Sequence, residues 1–109
     1  MSFIDTGSVV RFAAEKMQKV NLFETPHMFC DVYCLEPGQA QKPHAHASAT
    51  KFYFVVEGRA KFTVGAGTRE LGPGGVAWSA PGEDHGVENA SKERVVLLVA
   101  MGPNPNAAK

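Results

Sequence analysis

Three histidines have the clearest potential for chemistry in this chain of 109 residues. His44 and His46 lie two positions apart, and His85 follows much later. In a β-strand, residues two apart point to one face, with Cα atoms roughly 6.5–7 Å apart. Their imidazoles can then bind one ion, with each nitrogen at about 2.0–2.1 Å. A histidine from a neighbouring strand would complete one side of the coordination sphere and leave the other side open to a ligand.

The segments around these histidines have the composition of short β-strands separated by glycine and proline. Strands are predicted at 28–35, 42–47, 50–56, 59–64, 76–80, 85–89 and 94–101. A helical turn is predicted near the N-terminus within 12–18, because Ala, Glu, Lys and Met favour helix. So many strands with so little helix predict an all-β sandwich or barrel, formed by one domain over 1–109. The barrel is expected at about 28–101, with loose tails at 1–7 and 102–109.

The composition argues against nucleic acid or a membrane as a partner. Eleven basic and eleven acidic residues cancel, so no bulk field attracts nucleic acid or an anionic membrane. No apolar run approaches the length of a membrane span or of a signal-peptide core. We therefore expect a cytoplasmic protein with neither nucleic acid nor membrane as a partner.

The strand at 50–56 predicts an apolar outer surface. If position 51 faces the interior, then Phe52, Phe54 and Val56 point outward. Three large apolar side chains on an outer face are unusual for a monomer. We expect a second copy to cover them in a two-fold homodimer. Cover by the N-terminal segment, residues 9–12, is the alternative.

The sequence resembles the cupin family in its small, single-domain bacterial form. The first cupin motif is G(X)5HXH(X)3,4E(X)6G. Gly38, His44, His46, Lys51 and Gly58 match it, except that Lys51 stands in place of the glutamate. The second motif, G(X)5PXG(X)2H(X)3N, is matched with the proline displaced by one, by Gly74, Pro81, Gly82, His85 and Asn89. The motif glycines are expected to allow positive φ or close approach at turns.

The resemblance implies a double-stranded β-helix, or jelly roll, of the RmlC-like kind. It also implies that His44, His46 and His85 project inward as ligands of a divalent transition metal. Imidazole sites accept Fe, Zn, Ni, Mn and Cu, so the ligand set does not select the metal.

Lys51 occupies the position of the family's anionic ligand, and three outcomes are open. The lysine can point away from the histidines on its flexible stem and leave a three-histidine metal site. It can be held neutral by burial beside the metal. It can also replace the cation, so that the cavity is metal-free and binds an anion directly.

Two aromatic residues are candidates for the pocket wall. Tyr53 should face inward two positions after Lys51, where its hydroxyl could reach a substrate. Trp78 would line the pocket if positions 76, 78 and 80 share the inner face. Packing in the core explains each aromatic equally well.

Two functional classes fit these residues. The first is a metal-binding cupin with a small pocket, catalysing an oxygen-dependent oxidation or an isomerisation of a small acidic or carbonyl compound. The alternative is a non-catalytic small-molecule-binding or sensory cupin, metal-free with Lys51 in place of the cation. The catalytic residues of the first class are not identified by the sequence.

Overall fold

Nine β-strands arranged in two sheets make up the described part of the protein. The computed structural model describes residues 2–105, and its strands are Gln18–Glu24 (β1), Phe29–Leu35 (β2), Ala40–His44 (β3), Thr50–Glu57 (β4), Ala60–Val64 (β5), Gly67–Leu71 (β6), Val76–Ser79 (β7), His85–Glu88 (β8) and Val95–Gly102 (β9). One sheet has the order β1-β2-β9-β4-β7 and the other β3-β8-β5-β6, with antiparallel pairing in both. The all-β jelly-roll prediction is confirmed.

The inner faces of the two sheets bury the main core. Along β4 the side chains alternate as predicted, with Tyr53 and Val55 fully buried and Phe52 and Val56 exposed. The remaining core comes mostly from β2, β5 and β9, through Tyr33, Leu35, Ala60, Phe62, Val95, Leu97 and Val99. This alternation also turns position 51 into the barrel.

The helical turn lies earlier in the chain than predicted. A single turn of 3-10 helix spans Thr6–Ser8, and the Asp5 carboxylate caps it by accepting from the Gly7 amide at 2.9 Å. Residues 12–17 form no helix, and β1 already begins at Gln18, so tertiary contacts override the local helix preference of this segment. At three residues, this turn is far too short to cross a membrane.

The sheet extends beyond the predicted barrel at both ends. Strand β1 pairs with β2, so the sheet begins ten positions before residue 28. Asn104 is buried, and its Nδ2 donates to the Thr25 carbonyl at 2.9 Å and to the Glu24 carboxylate at 3.1 Å. The predicted loose tail from residue 102 is therefore wrong for its first part, because Gly102 ends β9 and Asn104 is bonded to the β1–β2 turn. Residues 106–109 lie outside the described residues.

The N-terminal segment covers part of the outer face of the five-stranded sheet. Val9, Val10 and Phe12 pack on the outward side chains of β2 and β9, namely Val32, Cys34, Val96 and Leu98. The outer face of β4 and β7 is not part of this cluster. The exposed large apolar side chains of these two strands are Phe52, Val56, Val76 and Trp78, and Phe23 is exposed on β1 of the same sheet.

Candidate metal centre

A β-bulge in β3 positions the first histidine. Gln41 and His44 each pair with a residue of β8, but residues 42–43 between them face only Gly86. An extra residue reverses the in-and-out alternation of a strand. Gln41 and His44, three positions apart, can therefore both face the barrel interior.

Gly86 makes this bulge possible. A Cβ atom at position 86 would lie 2.8 Å from the Gln41 carbonyl oxygen and 2.8 Å from the Pro43 nitrogen. Proline also suits the site, because it donates no hydrogen bond to the ladder. The predicted strand at 42–47 is consequently displaced: β3 ends at His44, and His46 lies in the segment that follows.

The three predicted histidines come together at one point. His44 pairs directly with His85 across β3 and β8, and their ring centroids are 4.6 Å apart. The His46 ring lies 5.0 Å from that of His44 and 5.3 Å from that of His85. One nitrogen from each ring lies within 4.8 Å of the others. His85 is buried, whereas His44 and His46 are only half-buried, so the cluster is accessible from one side.

Backbone carbonyls select the tautomers of two of these rings. Nδ1 of His44 lies 2.9 Å from the Lys42 carbonyl oxygen, and Nδ1 of His85 lies 3.1 Å from that of Glu83. A carbonyl oxygen only accepts, so each Nδ1 carries the hydrogen and donates it. Ser79 Oγ lies 3.0 Å from Nδ1 of His85 and steadies the same ring. In both histidines the Nε2 lone pair is left for a ligand.

The residues present fit a divalent metal ion. Nε2 of His85 is buried and has no hydrogen-bond partner in residues 2–105, an arrangement that is costly unless a ligand satisfies the atom. Burial, with smaller contributions from nearby positive charge, lowers the pKa of His85 to about 4, and burial also lowers the pKa of His46. Neutral imidazoles with free lone pairs are the form that binds a metal.

Lys51 extends into the barrel and is bonded to neighbouring polar side chains. It is only 2% exposed, and its Nζ donates to the Tyr33 hydroxyl at 3.1 Å and to Gln41 Oε1 at 3.2 Å. Nζ also lies over the rings of Tyr33 and Tyr53, at 5.3 and 5.1 Å from their centroids. Burial, followed by the charge of Lys19, lowers the pKa of Lys51 to about 8. No carboxylate forms an ion pair with Lys51 in the described part of the chain.

Gln41 connects the polar groups of the interior. Its Oε1 accepts from Lys51 and from the Tyr53 hydroxyl, the latter at 3.0 Å, and its Nε2 donates to the Tyr33 hydroxyl at 3.2 Å. Tyr53 is fully buried, and its ring centroid lies 6.3 Å from that of His85. Tyr53 therefore lies on the interior side, between the lysine and the histidines.

Trp78 does not line this pocket. It is 64% exposed on the outer face of β7, next to Phe52 of β4. The inward residues of β7 are Ala77 and Ser79, because positions 76 and 78 point outward. The prediction for Trp78 was wrong: in the pairing of β7 with β4, Trp78 lies opposite Phe52, and directly opposed residues share a face, so both point outward.

Sequence reasoning missed three residues of the site. Tyr33 could have been found from the alternation of β2, since it shares a face with Leu35, a core residue. Ser79 shows no signal beyond its position in a strand close to His85. For Gln41, no pattern in the sequence indicates the bulge that turns it inward.

Comparisons with known proteins agree with this fold. The crystal structure of TT1209 from Thermus thermophilus is similar over 96% of this chain and 100% of that chain, with 39% identity and a TM-score of 0.93. A protein with a double-stranded β-helix domain from Klebsiella pneumoniae has 24% identity and a TM-score of 0.89, over 96% and 92% of the two chains. An uncharacterised protein of Streptomyces coelicolor is 33% identical over 99 residues, which is 89% of this chain and 82% of that protein. The cupin domain model matches residues 31–101, and the chain therefore belongs to the cupin family.

Proposed function

We propose that the protein is a metal-dependent cupin in which His44, His46 and His85 hold one divalent transition metal and a small acidic or carbonyl compound binds beside it. The observation that carries this proposal is the buried Nε2 of His85, which has no partner in residues 2–105, in a cluster where one ring nitrogen from each of the three histidines lies within 4.8 Å of the others. When bound, the metal would supply Lewis-acid polarisation of a ligand oxygen.

The charge of the interior supports an anionic or carbonyl ligand. Three neutral imidazoles would leave the full charge of the ion uncompensated, and Lys51 adds positive charge to the same interior. Burial of Lys51 among Tyr33, Tyr53 and Gln41 weakens solvent screening of that charge. A carboxylate or an enolate would be stabilised by this arrangement, whereas a cationic ligand would be repelled.

The reaction classes that suit such a ligand are oxygen-dependent oxidation and isomerisation next to a carbonyl. The Tyr53 hydroxyl donates to Gln41, so it is a fixed hydroxyl within the interior that can hold a proton near the ligand. The open side of the histidine cluster leaves space for the ligand itself. Oxygen uptake with diketones or thiol acids, in protein supplemented with iron(II), is the measurement that identifies the first class.

A non-catalytic, metal-free binding protein is the second candidate, and Lys51 is the observation that favours it. The charge of Lys51 contributes to lowering the pKa of His46 and His85. It therefore acts on the histidines with the same sign as a metal ion would. In this case Lys51 takes the place of the cation, and an anion binds to it directly.

Elemental analysis of the untagged protein separates the two candidates. We expect about one transition-metal ion per chain in the wild type and much less in His85→Gln. Lys51→Glu, which restores the anionic ligand of the motif, should retain the metal and bind it more tightly. A metal-free wild type together with a metal-filled Lys51→Glu would instead show that the lysine excludes the ion, and would overturn the first proposal.

We further propose that the protein is a homodimer formed through the outer face of β4 and β7. The groove on this face is lined by apolar side chains and one threonine, namely Thr50, Phe52, Phe54, Val76, Trp78 and Leu98. None of these residues carries a charge, so an identical surface can cover them without burying an unpaired charge. In a two-fold dimer the same patch is used by both copies.

A further inference from the structure

A second cavity, lined by none of the three histidines, includes the inward-facing Gln41. Between the edge strands β1 and β3 lies a cavity of about 550 Å³, lined by Lys16, Met17, Gln18, Lys19, Ala40 and Gln41. Two lysines and no acidic residue line it. The positive charge of this cavity therefore favours an anionic ligand.

One residue that lines this cavity also contacts Lys51. Gln41 is in the lining, and its Oε1 accepts the hydrogen bond from Nζ of Lys51. Lys19, which also lines the cavity, has its Nζ 5.5 Å from the ring centroid of Tyr33, the other acceptor of Lys51. Gln41 thus connects the lining of the cavity to the amine.

The environment of Lys51 makes its ammonium group easier to deprotonate than that of an exposed lysine. Its two hydrogen-bond acceptors in residues 2–105, Tyr33 and Gln41, match the two N–H groups of an uncharged amine and leave the lone pair free. Burial lowers the pKa of Lys51 to about 8. A desolvated lysine of this kind is a nucleophile toward carbonyl groups.

We propose that Nζ of Lys51 forms an imine with a small 2-oxo carboxylate that enters through this cavity. The nitrogen lone pair forms a bond to the carbonyl carbon, and the carbonyl oxygen leaves as water with the two protons that the nitrogen gives up. The carboxylate of the ligand faces Lys16 and Lys19. Gln41 acts as a positioning residue that must move aside to admit it. No metal takes part, so the proposal is independent of the three-histidine site.

Reductive trapping tests the proposal in chelator-treated wild-type protein. Pyruvate is added with cyanoborohydride, and peptide mass spectrometry measures the rate of adduct formation at each lysine. The pKa of Lys51, lower than that of an exposed lysine, gives it a much larger neutral fraction, so we expect an adduct there at least about tenfold faster than at exposed Lys61 or Lys92. An adduct at Lys51 that forms no faster than at the exposed lysines would overturn the proposal.

Two further comparisons test the route and the ligand class. Gln41→Ala should accelerate the reaction at Lys51 and leave that at Lys61 and Lys92 unchanged. Methyl pyruvate, which has the same carbonyl but no charge, should lose the preference for Lys51 relative to the exposed lysines. Two outcomes would contradict the proposed route. One is an equal preference for Lys51 with pyruvate and with its methyl ester, and the other is loss of that preference in Gln41→Ala. Because the metal has been removed, the result does not depend on whether the histidines bind one.

Discussion

At the level of single residues, Lys51 determines the character of the barrel interior. In the family motif this position carries a carboxylate, and here it carries an amine without a carboxylate partner in residues 2–105. Its hydrogen-bond partners, Tyr33 and Gln41, are both uncharged. A buried charge with only neutral partners is destabilising, and such groups are retained mainly at functional sites.

Replacing Lys51 with methionine should stabilise the fold at neutral pH. The shift of the Lys51 pKa from 10.5 to about 8 corresponds to a cost of about 3 kcal/mol for burying the ammonium. Loss of its hydrogen bonds to Tyr33 and Gln41 offsets roughly 1–2 kcal/mol of the gain. We therefore expect Lys51→Met to raise the free energy of unfolding by about 1–2 kcal/mol, measured by urea denaturation.

The pH dependence of this difference identifies its cause. Below about pH 8 both the folded and the unfolded chain hold the Lys51 proton, so the full cost is present. Between about pH 8 and 10.5 the unfolded chain holds a proton that the folded chain has released, so the stability of the wild type rises with pH. The advantage of Lys51→Met should shrink across that interval, because the variant lacks the group that titrates. The neighbouring Lys19, Asp31, Tyr33 and Tyr53 are the same in both proteins, so their titration does not contribute to the difference. An advantage independent of pH would mean that packing, not charge, explains the effect.

Ser79→Ala should weaken metal binding without unfolding the protein. Ser79 Oγ contacts Nδ1 of His85, and the Glu83 carbonyl still accepts from that atom when the hydroxyl is removed. Partners of this kind orient a metal-binding imidazole, and their loss costs roughly tenfold in affinity. Competition titration of zinc against a chelator measures the change. Ser8→Ala, an exposed serine far from the histidines in sequence, is the control and should bind like the wild type.

The histidine cluster was predictable from residue types and spacing, whereas the pocket wall was only partly so. Three histidines at motif spacing indicate a common centre whichever strands carry them. Trp78 was misplaced because apolarity suggested the interior for positions 76 and 78, yet the interior of β7 holds Ala77 and Ser79. The pairing of β7 with β4 decides which face is inside, because Ala77 lies opposite the buried Tyr53 and Ser79 opposite the buried Lys51. That pairing cannot be read from the sequence of β7 alone.

At the level of elements, the bulge in β3 converts a regular strand into part of a site. It lets Gln41 and His44 face the same side, so one strand supplies both a histidine of the metal centre and the amide that contacts Lys51. The bulge depends on Gly86, which lets β8 approach β3 closely. The sequence of β3 alone reveals neither the bulge nor the need for Gly86, because bulges arise from pairing between segments that are distant in the chain.

Gly86→Ala should therefore damage both stability and metal binding. The added methyl would meet backbone atoms of Gln41 and Pro43 at 2.8 Å, and backbone cannot move aside as a flexible side chain can. We expect a loss of roughly 2 kcal/mol in the free energy of unfolding and weaker zinc binding, because His44 is displaced.

Gly67→Ala is the matched control for this change. It is also a strand glycine, but an added Cβ would meet the Val64 carbonyl oxygen only at an ordinary 3.5 Å. It should cost well under about 1 kcal/mol and leave zinc affinity unchanged. Equal effects of the two substitutions on unfolding and on zinc affinity would contradict the role given to the bulge.

Two strands escaped prediction for physical reasons that differ. Strand β1 has a register shift between Asn21 and Phe23, which breaks the simple alternation that identifies a strand from sequence. Strand β6 is short and almost wholly exposed, so it has no buried face to produce an apolar pattern. Both are edge strands, and their hydrogen bonding to a neighbour defines them more than their composition does.

At the level of the whole molecule, the five-stranded sheet has two different outer surfaces. The N-terminal segment covers β2 and β9 through Val9, Val10 and Phe12. The neighbouring surface over β4 and β7 is not covered by that segment, although Leu98 borders both. The sequence predicted an apolar outer face and offered both kinds of cover. The structure shows that the N-terminal segment covers the surface of β2 and β9. For the surface of β4 and β7 we propose a second copy.

The oligomeric state tests that proposal, and Trp78 provides the signal. It is the only tryptophan of the chain and is 64% exposed in the isolated protomer. In a dimer its indole would be desolvated, so dilution should shift its fluorescence to longer wavelength as the protomers separate.

Phe52→Glu would place a carboxylate in the apolar interface, and light scattering should then report a monomer at concentrations where the wild type is a dimer. Phe23→Glu places the same charge on an exposed residue of β1 and should leave the dimer intact. A wild type that scatters as a monomer, or a Phe52→Glu variant that remains dimeric, would show that this face has a different occupant.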